Sequence, residues 1–335
     1  MPVRPGKDRK AHASRLTPHG FIDIHTHGIG GYDTRGATPE IVLKIARIHG
    51  AHGVSAILPT IYPAPIGEMR ADMAAVREAI NRQDLQFGVR SSERKYSKLI
   101  TTNLELAKNP AARILGAHLE GPFLNPAQCG ALDKTSFLEP TMKNFKRLID
   151  GFGDIVKIIT IAPELKGATR LIKTIADTGI VVSMGHSDAT YAEAEAGYRA
   201  GAKGITHIFN AMRGIHHREP GIAGFGLLNK EVYIEVITDP FHLGLKTIEL
   251  IFKVKDFKKI ILVSDTVKDT KGISARRGVR DSRGILLGGS MTIPESARRL
   301  IGMGFKGKAV MNCITRNPAA YLATQPIAGK VKDNM

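Results

Sequence analysis

Eight short apolar runs divide the chain, each rich in the β-branched and aliphatic residues that suit a buried strand. They cover residues 21–27 (FIDIHTH), 54–60 (VSAILPT), 114–120 (ILGAHLE), 156–164 (VKIITIAPE), 180–187 (IVVSMGHS), 204–212 (GITHIFNAM), 232–238 (VYIEVIT) and 259–266 (KIILVSDT). Most of the intervals between them carry a helical pattern. Thr38 followed by Pro39 predicts a capped helix start, and the helical stretches ahead of Gly179 and Gly201 predict glycine C-caps. Strands alternating with helices imply a parallel sheet. Eight such units over roughly 250 residues fit an α/β fold of the (β/α)8 TIM-barrel type in number and in size. An open doubly wound sheet is the alternative, weakened because no G-x-G-x-x-G follows a strand.

The ends of these runs carry the candidate chemistry. Side chains at i and i+2 of a strand share a face, so His25 and His27 project together. Taken alone, the pair is either half of a metal site or two unrelated polar residues at a strand end. The third run, however, ends in His118 and Glu120, the fifth reaches His186 and the sixth carries His207. The seventh leads to Asp239 and His242, and the eighth ends at Asp265. A barrel builds its active site at the C-terminal ends of its strands, where these side chains would converge. Imidazoles and carboxylates without thiolates suit one or two divalent ions, zinc first, with iron(II) or manganese as alternatives. Such an ion lowers the pKa of a bound water toward ~7. Hydrolysis then needs a carboxylate to accept and return a proton, and Asp265 is the candidate.

Composition narrows the compartment and the partners. Of 335 residues 43% are hydrophobic, enough for a large core. Cys129 and Cys313 are the two cysteines and form no C-x-x-C pair, which excludes a disulfide framework and points to a reducing cytoplasm. The first fifteen residues are polar and basic without the apolar core of a signal peptide, and no apolar run approaches the ~18 residues of a membrane span. The net charge of +17 allows either nucleic-acid binding or a solvated basic surface that draws in an anionic substrate. The basic residues are dispersed, including Arg276 and Arg277, and there is no tryptophan for base stacking, so neither a nucleic-acid nor a membrane partner is expected.

Five longer words are more specific: HLEGPFLN (118–125), GHSDAT (185–190), THIFNAM (206–212), HREPGIAG (217–224) and VSDT (263–266). With the H-x-H pair, and in this order, they resemble the amidohydrolase superfamily and, within it, the N-acetylglucosamine-6-phosphate deacetylases. The resemblance runs from about residue 18 to residue 325. It implies that Glu120, His186 and His207 are primary metal ligands, that His25 and His27 hold a second metal, and that Asp265 is the general base and then acid. It assigns substrate contacts to Asn210, Ala211, Arg218, His242, Ala131, Leu286, Leu287 and Gly288. The arginine is lent by a neighbouring subunit in that family, which implies a homodimer acting on a small amino-sugar phosphate. His118 is expected beside the site without being a ligand, His216 and His217 in a loop, and His12, His19, His49 and His52 in surface or structural roles.

Three departures from the family pattern qualify that reading. Leu132 stands where a histidine ordinarily helps polarise the substrate carbonyl, and losing such a donor costs about 3 kcal/mol of transition-state stabilisation. Pro240 and Phe241 replace a more flexible pair ahead of His242. The family's small β-sandwich, made from both chain ends, is expected to be absent or vestigial, leaving a basic segment at 1–17, the barrel at 18–325 and a short tail at 326–335. Two other readings stay open: hydrolysis of a different amide, and a non-catalytic barrel that binds sugar phosphate.

Overall fold

The computed structural model describes residues 20–86, 111–271 and 278–323. The basic segment, the tail, His12, His19, Arg276 and Arg277 lie outside the described residues. Each expected run forms a strand: β1 (Phe21–Thr26), β2 (Val54–Ile61), β3 (Ala117–Glu120), β4 (Val156–Ile161), β5 (Val181–Met184), β6 (Gly204–Ile205), β7 (Tyr233–Val236) and β8 (Ile260–Leu262). They pair in parallel and in sequential order, β1 to β8. A doubly wound sheet would reverse its order at a switch point, so the sequential order excludes it. The ring closes at the C-terminal ends of β8 and β1, where Thr26 and Thr266 form a parallel bridge. Asp265 N donates to His25 O at 2.9 Å, and His27 N donates to Thr266 O at 2.7 Å.

The helices start and stop where local chemistry dictates. In α1 (Pro39–Ala51) the Thr38 side chain accepts from Ile41 N, with Pro39 in the first turn, where its missing N–H costs nothing. After α2 (Ile66–Gln86), α3 (Met142–Ile149) and α4 (Ala168–Asp177), helix α5 (Tyr191–Ala200) opens with a capping box, Thr190 and Glu193 satisfying each other's backbone N–H groups. Five more follow: α6 (Gly221–Leu228), α7 (Leu245–Val254), α8 (Ile293–Gly302), α9 (Gly307–Ile314) and α10 (Arg316–Ala323).

Alternation along the strands builds two apolar layers. Leu119, Ile159, Val182 and Ile234 join the helices in the larger layer, outside the barrel. Their neighbours Ile158, Val181, Tyr233 and Ile261 share a second cluster with Tyr321 of α10. Tyr321 is fully buried and fills the barrel interior at the end opposite the strand C-termini. At Gly204 an added Cβ would come within 2.1 Å of the Tyr321 hydroxyl, so only glycine lets β6 pass this plug. Above it lies a belt of polar side chains: Thr206 Oγ1 donates to Ser183 Oγ at 2.7 Å and meets Thr160 Oγ1 at 2.9 Å. Everything above that belt faces the open end.

Candidate metal centre and active-site cleft

Glu120, the last residue of β3, organises the open end. Its carboxylate faces four imidazoles, with Nε2 of His207 at 2.9 Å, His186 and His27 at 3.2 Å, and His25 at 3.4 Å. Burial alone would make Glu120 a weaker acid. The charge of His186, hydrogen bonds from His186 and His207, and the nearby His25 ring outweigh that, and hold its carboxyl well below the usual carboxylate range. Two sets lie close enough to share an ion, Glu120 with His186 and His207, and Glu120 with His25 and His27.

The far side of each ring decides which nitrogen is available. His27 Nδ1 sits 3.1 Å from Thr60 O and His186 Nδ1 sits 2.9 Å from Gln128 O. A carbonyl only accepts, so both Nδ1 atoms carry a proton, and Nε2 is the nitrogen that each ring, when neutral, would turn to a cation. His25 Nδ1 meets the buried carboxylate of Glu235 at 3.0 Å. Its Nε2 is buried with no hydrogen-bond partner, an orphaned atom aimed at Glu120 and Asp265. The donor set thus fits a divalent ion in chemistry and in the orientation of its lone pairs. His118 differs, because Nδ1 faces Ile24 O at 3.0 Å and Nε2 faces Thr160 Oγ1 at 2.9 Å. Both of its nitrogens are occupied, and burial keeps the ring neutral. His118 and Glu235 do make a third close group with His25, deeper in the barrel.

Asp265 completes the cluster, its Oδ1 lying 3.5 Å from His25 Nε2 and 3.6 Å from His27 Nε2. His186, His207, Ala211 and Asp265 all adopt left-handed backbone, with φ of 47°, 29°, 47° and 49°. Such positions cost of order 1–3 kcal/mol each and persist where surrounding structure enforces them. Here neighbouring loops do so. Asn125 N donates to His186 O, and Gly289 N donates to Asp265 O. Glu164 accepts from Asn125 Nδ2, Ser187 Oγ and Asp188 N, clipping the loops after β3 and β5 together.

Above the cluster opens a cleft of roughly 210 Å³, somewhat smaller than the ~300–1,000 Å³ of drug-sized ligand sites. His27, Glu120, His186, His207 and Asp265 form its floor; Ala131, Asn210, Ala211, His242, Leu286, Leu287 and Gly288 line its sides. His242 is held by Asp239, which accepts from its Nδ1 at 3.0 Å and from Ser290 N at 2.8 Å. Arg218 is exposed on the loop after β6 and does not line the cleft of its own chain. His216 and His217 share that exposed loop, while His49 is fully buried with Nε2 3.0 Å from Thr26 Oγ1.

Sequence reasoning missed two supporting residues. Glu235 was signalled by a lone carboxylate inside the apolar run VYIEVIT. Tyr62 stacks on His27 with ring centroids 3.8 Å apart and carries the Arg35 guanidinium on its ring at 4.5 Å. Nothing in the sequence marks it, since an aromatic after a strand is ordinary.

No protein-family model matches the chain. Among curated proteins it is 26% identical over 325 residues to the N-acetylgalactosamine-6-phosphate deacetylase of Escherichia coli O157:H7, covering 93% of this chain and 79% of that one. It is 33% identical over 251 residues to the N-acetylglucosamine-6-phosphate deacetylase of Vibrio furnissii, covering 75% of this chain and 56% of the relative. With the Bacillus subtilis deacetylase the identity is 32%, over 80% of this chain and 62% of the relative. The chain therefore spans between about half and four-fifths of the length of these relatives. Among solved structures, the Thermotoga maritima N-acetylglucosamine-6-phosphate deacetylase superposes with a TM-score of 0.75 at 26% identity, over 91% of this chain and 78% of that one. A Mycobacterium smegmatis deacetylase variant, solved in complex with N-acetyl-D-glucosamine-6-phosphate, superposes with a TM-score of 0.75 at 25% identity, over 91% of this chain and 77% of that one. The chain is a (β/α)8 barrel similar in sequence and in fold to the N-acetylglucosamine-6-phosphate deacetylases.

Proposed function

We propose that the protein is a metal-dependent deacetylase that hydrolyses N-acetylglucosamine 6-phosphate, or a closely related N-acyl amino sugar, to the free amine and acetate. One observation carries this reading: a single buried carboxylate, Glu120, gathers four imidazoles on the floor of an open cleft, with the Asp265 carboxylate beside them. Glu120, His186 and His207 would hold one ion, and His25 and His27 a second, zinc fitting the donors best. When bound there, such an ion would supply Lewis acidity for activating water and polarising the amide carbonyl.

The remaining work falls to the side chains. Asp265 accepts the proton of the attacking water and delivers it to the amide nitrogen as the C–N bond breaks, so one residue serves as base and then as acid. Asn210, Ala211 and His242 face the same cleft and orient the sugar phosphate. Burial disfavours charge on His242, but its hydrogen bond to Asp239 and the charge of that carboxylate raise its pKa, making it a better anion contact. A sensor that only binds sugar phosphate has no use for Asp265 beside the imidazoles, which counts against the non-catalytic reading. Action on a small metabolite in the cytoplasm is part of the same proposal. Among the described residues no helix is long and apolar enough to cross a membrane.

The test is acetate release from N-acetylglucosamine 6-phosphate by the purified protein, alongside its metal content. Acetate should appear in proportion to bound metal. A metal-replete protein that releases none from any N-acetylhexosamine 6-phosphate would end the proposal. Arg218 belongs to the same reading as a phosphate contact across a homodimer, since it does not line its own cleft. Arg218→Lys is then expected to lower kcat/KM for the phosphorylated sugar roughly 10- to 100-fold, the worth of a bidentate charged hydrogen bond, and to spare the plain sugar. Equal losses on both sugars would remove Arg218 from that role.

A further inference from the structure

One wall of the cleft does not match an acetylated sugar phosphate. Leu132, from the loop after β3, and Ile285, Leu286 and Leu287, from the segment after β8, are four aliphatic residues that line the same space. None of the four is buried, and Ile285 keeps 36% of its surface exposed. Exposed apolar surface gathered at a ligand cleft marks a binding surface for an apolar group.

Both segments are fixed in place. Leu132 closes a turn with its N–H on Cys129 O at 3.0 Å. Inside that turn Gly130 has φ of 59°, and a Cβ there would come within 3.3 Å of Ala211 Cβ and 3.7 Å of His186 Cε1. Leu286 to Gly288 form one strand of an antiparallel ribbon with Val279–Arg280. Phe241 packs against the ribbon, where a Cβ built at Gly278 would meet its ring at 2.9 Å and Leu286 Cδ2 at 3.0 Å.

The parts of the substrate can be matched to the cleft by polarity. The amide must lie over the floor of imidazoles and carboxylates. The sugar hydroxyls and the phosphate suit Asn210 and His242. The acyl chain is the sole apolar part of an N-acyl amino-sugar phosphate, and the single methyl of acetate offers little surface to match four aliphatic residues.

We infer that the cleft is built for N-acyl amino-sugar phosphates whose acyl chain is longer than acetyl, with Leu132 and residues 285–287 as the acyl-binding wall. This rests on the deacetylase reading and extends it. The reaction is unchanged: water oxygen bonds to the acyl carbon, the C–N bond breaks, the amine nitrogen takes the proton, and the product acid is longer.

The test compares N-acetyl-, N-propionyl- and N-butyryl-glucosamine 6-phosphate in two ways, by binding to the metal-loaded Asp265→Asn variant and by acid release with the wild type. Each added methylene is expected to tighten binding about threefold to fourfold, somewhat under the value for a fully buried CH2, with kcat/KM rising in step. Leu132→Ser should flatten that series. Binding that is equal for all three chains, or weaker for the longer ones, overturns the inference, and acetate release by the wild type would then leave the deacetylase reading standing. Graded binding without release of any acid keeps the acyl wall and removes the reaction. If none of the three ligands binds, both readings fall.

Discussion

Replacing Asp265 with Asn is expected to lower turnover of N-acetylglucosamine 6-phosphate by about 10²- to 10⁴-fold, the span of general acid–base catalysis, while leaving metal bound. The substitution keeps shape and removes the proton acceptor. It also keeps the backbone, because residue 265 sits at φ of 49°, and asparagine enters the left-handed region at least as readily as aspartate. The ring fit survives as well, since the backbone N–H of residue 265 still donates to His25 O and Gly289 N still donates to the carbonyl of residue 265. Elemental analysis and a single-turnover assay on the same preparation check it. Turnover near the wild-type value with full metal content would mean that another group moves the proton.

A larger effect is expected at Glu120. Glu120→Gln is nearly isosteric but removes the charge that four imidazoles converge on at 2.9 to 3.4 Å. Metal content should drop well below one ion per chain, and hydrolysis should fall on the order of 10³-fold or more, since Lewis-acid stabilisation is worth several kcal/mol. The metal-free protein gives an independent readout. Burial disfavours charge on His25, yet the adjoining carboxylates of Glu120, Glu235 and Asp265 outweigh it and raise that imidazole's pKa well above its ordinary value. Metal uptake must therefore expel a proton, and this release, measured by calorimetry in buffers of different ionisation enthalpy, should vanish in the variant. A Glu120→Gln protein that keeps stoichiometric metal and normal turnover would show that the carboxylate is not a ligand.

Much of the barrel was legible because its strands announce themselves twice, by apolar composition and by polar residues at one end. β6 is the instructive case. Only Gly204 and Ile205 pair as strand, yet the run GITHIFNAM still placed His207 correctly, because the chain must climb past the sheet to its next helix. Glu235 was not legible as a partner of His25, because 210 residues separate them and only the closed ring brings β7 across from β1. The support of His186 by Gln128 comes from a backbone carbonyl, which every residue possesses and no sequence pattern can mark. Leu132 could be seen as a departure, but its meaning came from Ile285 to Leu287, which line the same cleft and which the sequence sets more than 150 positions away. Arg218 shows the opposite limit: its motif is plain, and its position in one chain does not reach the cleft.

The left-handed backbone at His186, His207 and Asp265 has a consequence for anyone seeking a more heat-resistant form of this barrel. Glycine adopts that conformation without the steric cost of a side chain, so these strand ends are places where a search for hardier variants would find gains. Every such gain would delete an imidazole or a carboxylate from the floor of the cleft. Selection for thermal tolerance and selection for turnover therefore pull in opposite directions at the same three positions. A programme that screens on melting temperature alone would be drawn toward a sturdier barrel stripped of His186, His207 and Asp265 at the floor of its cleft.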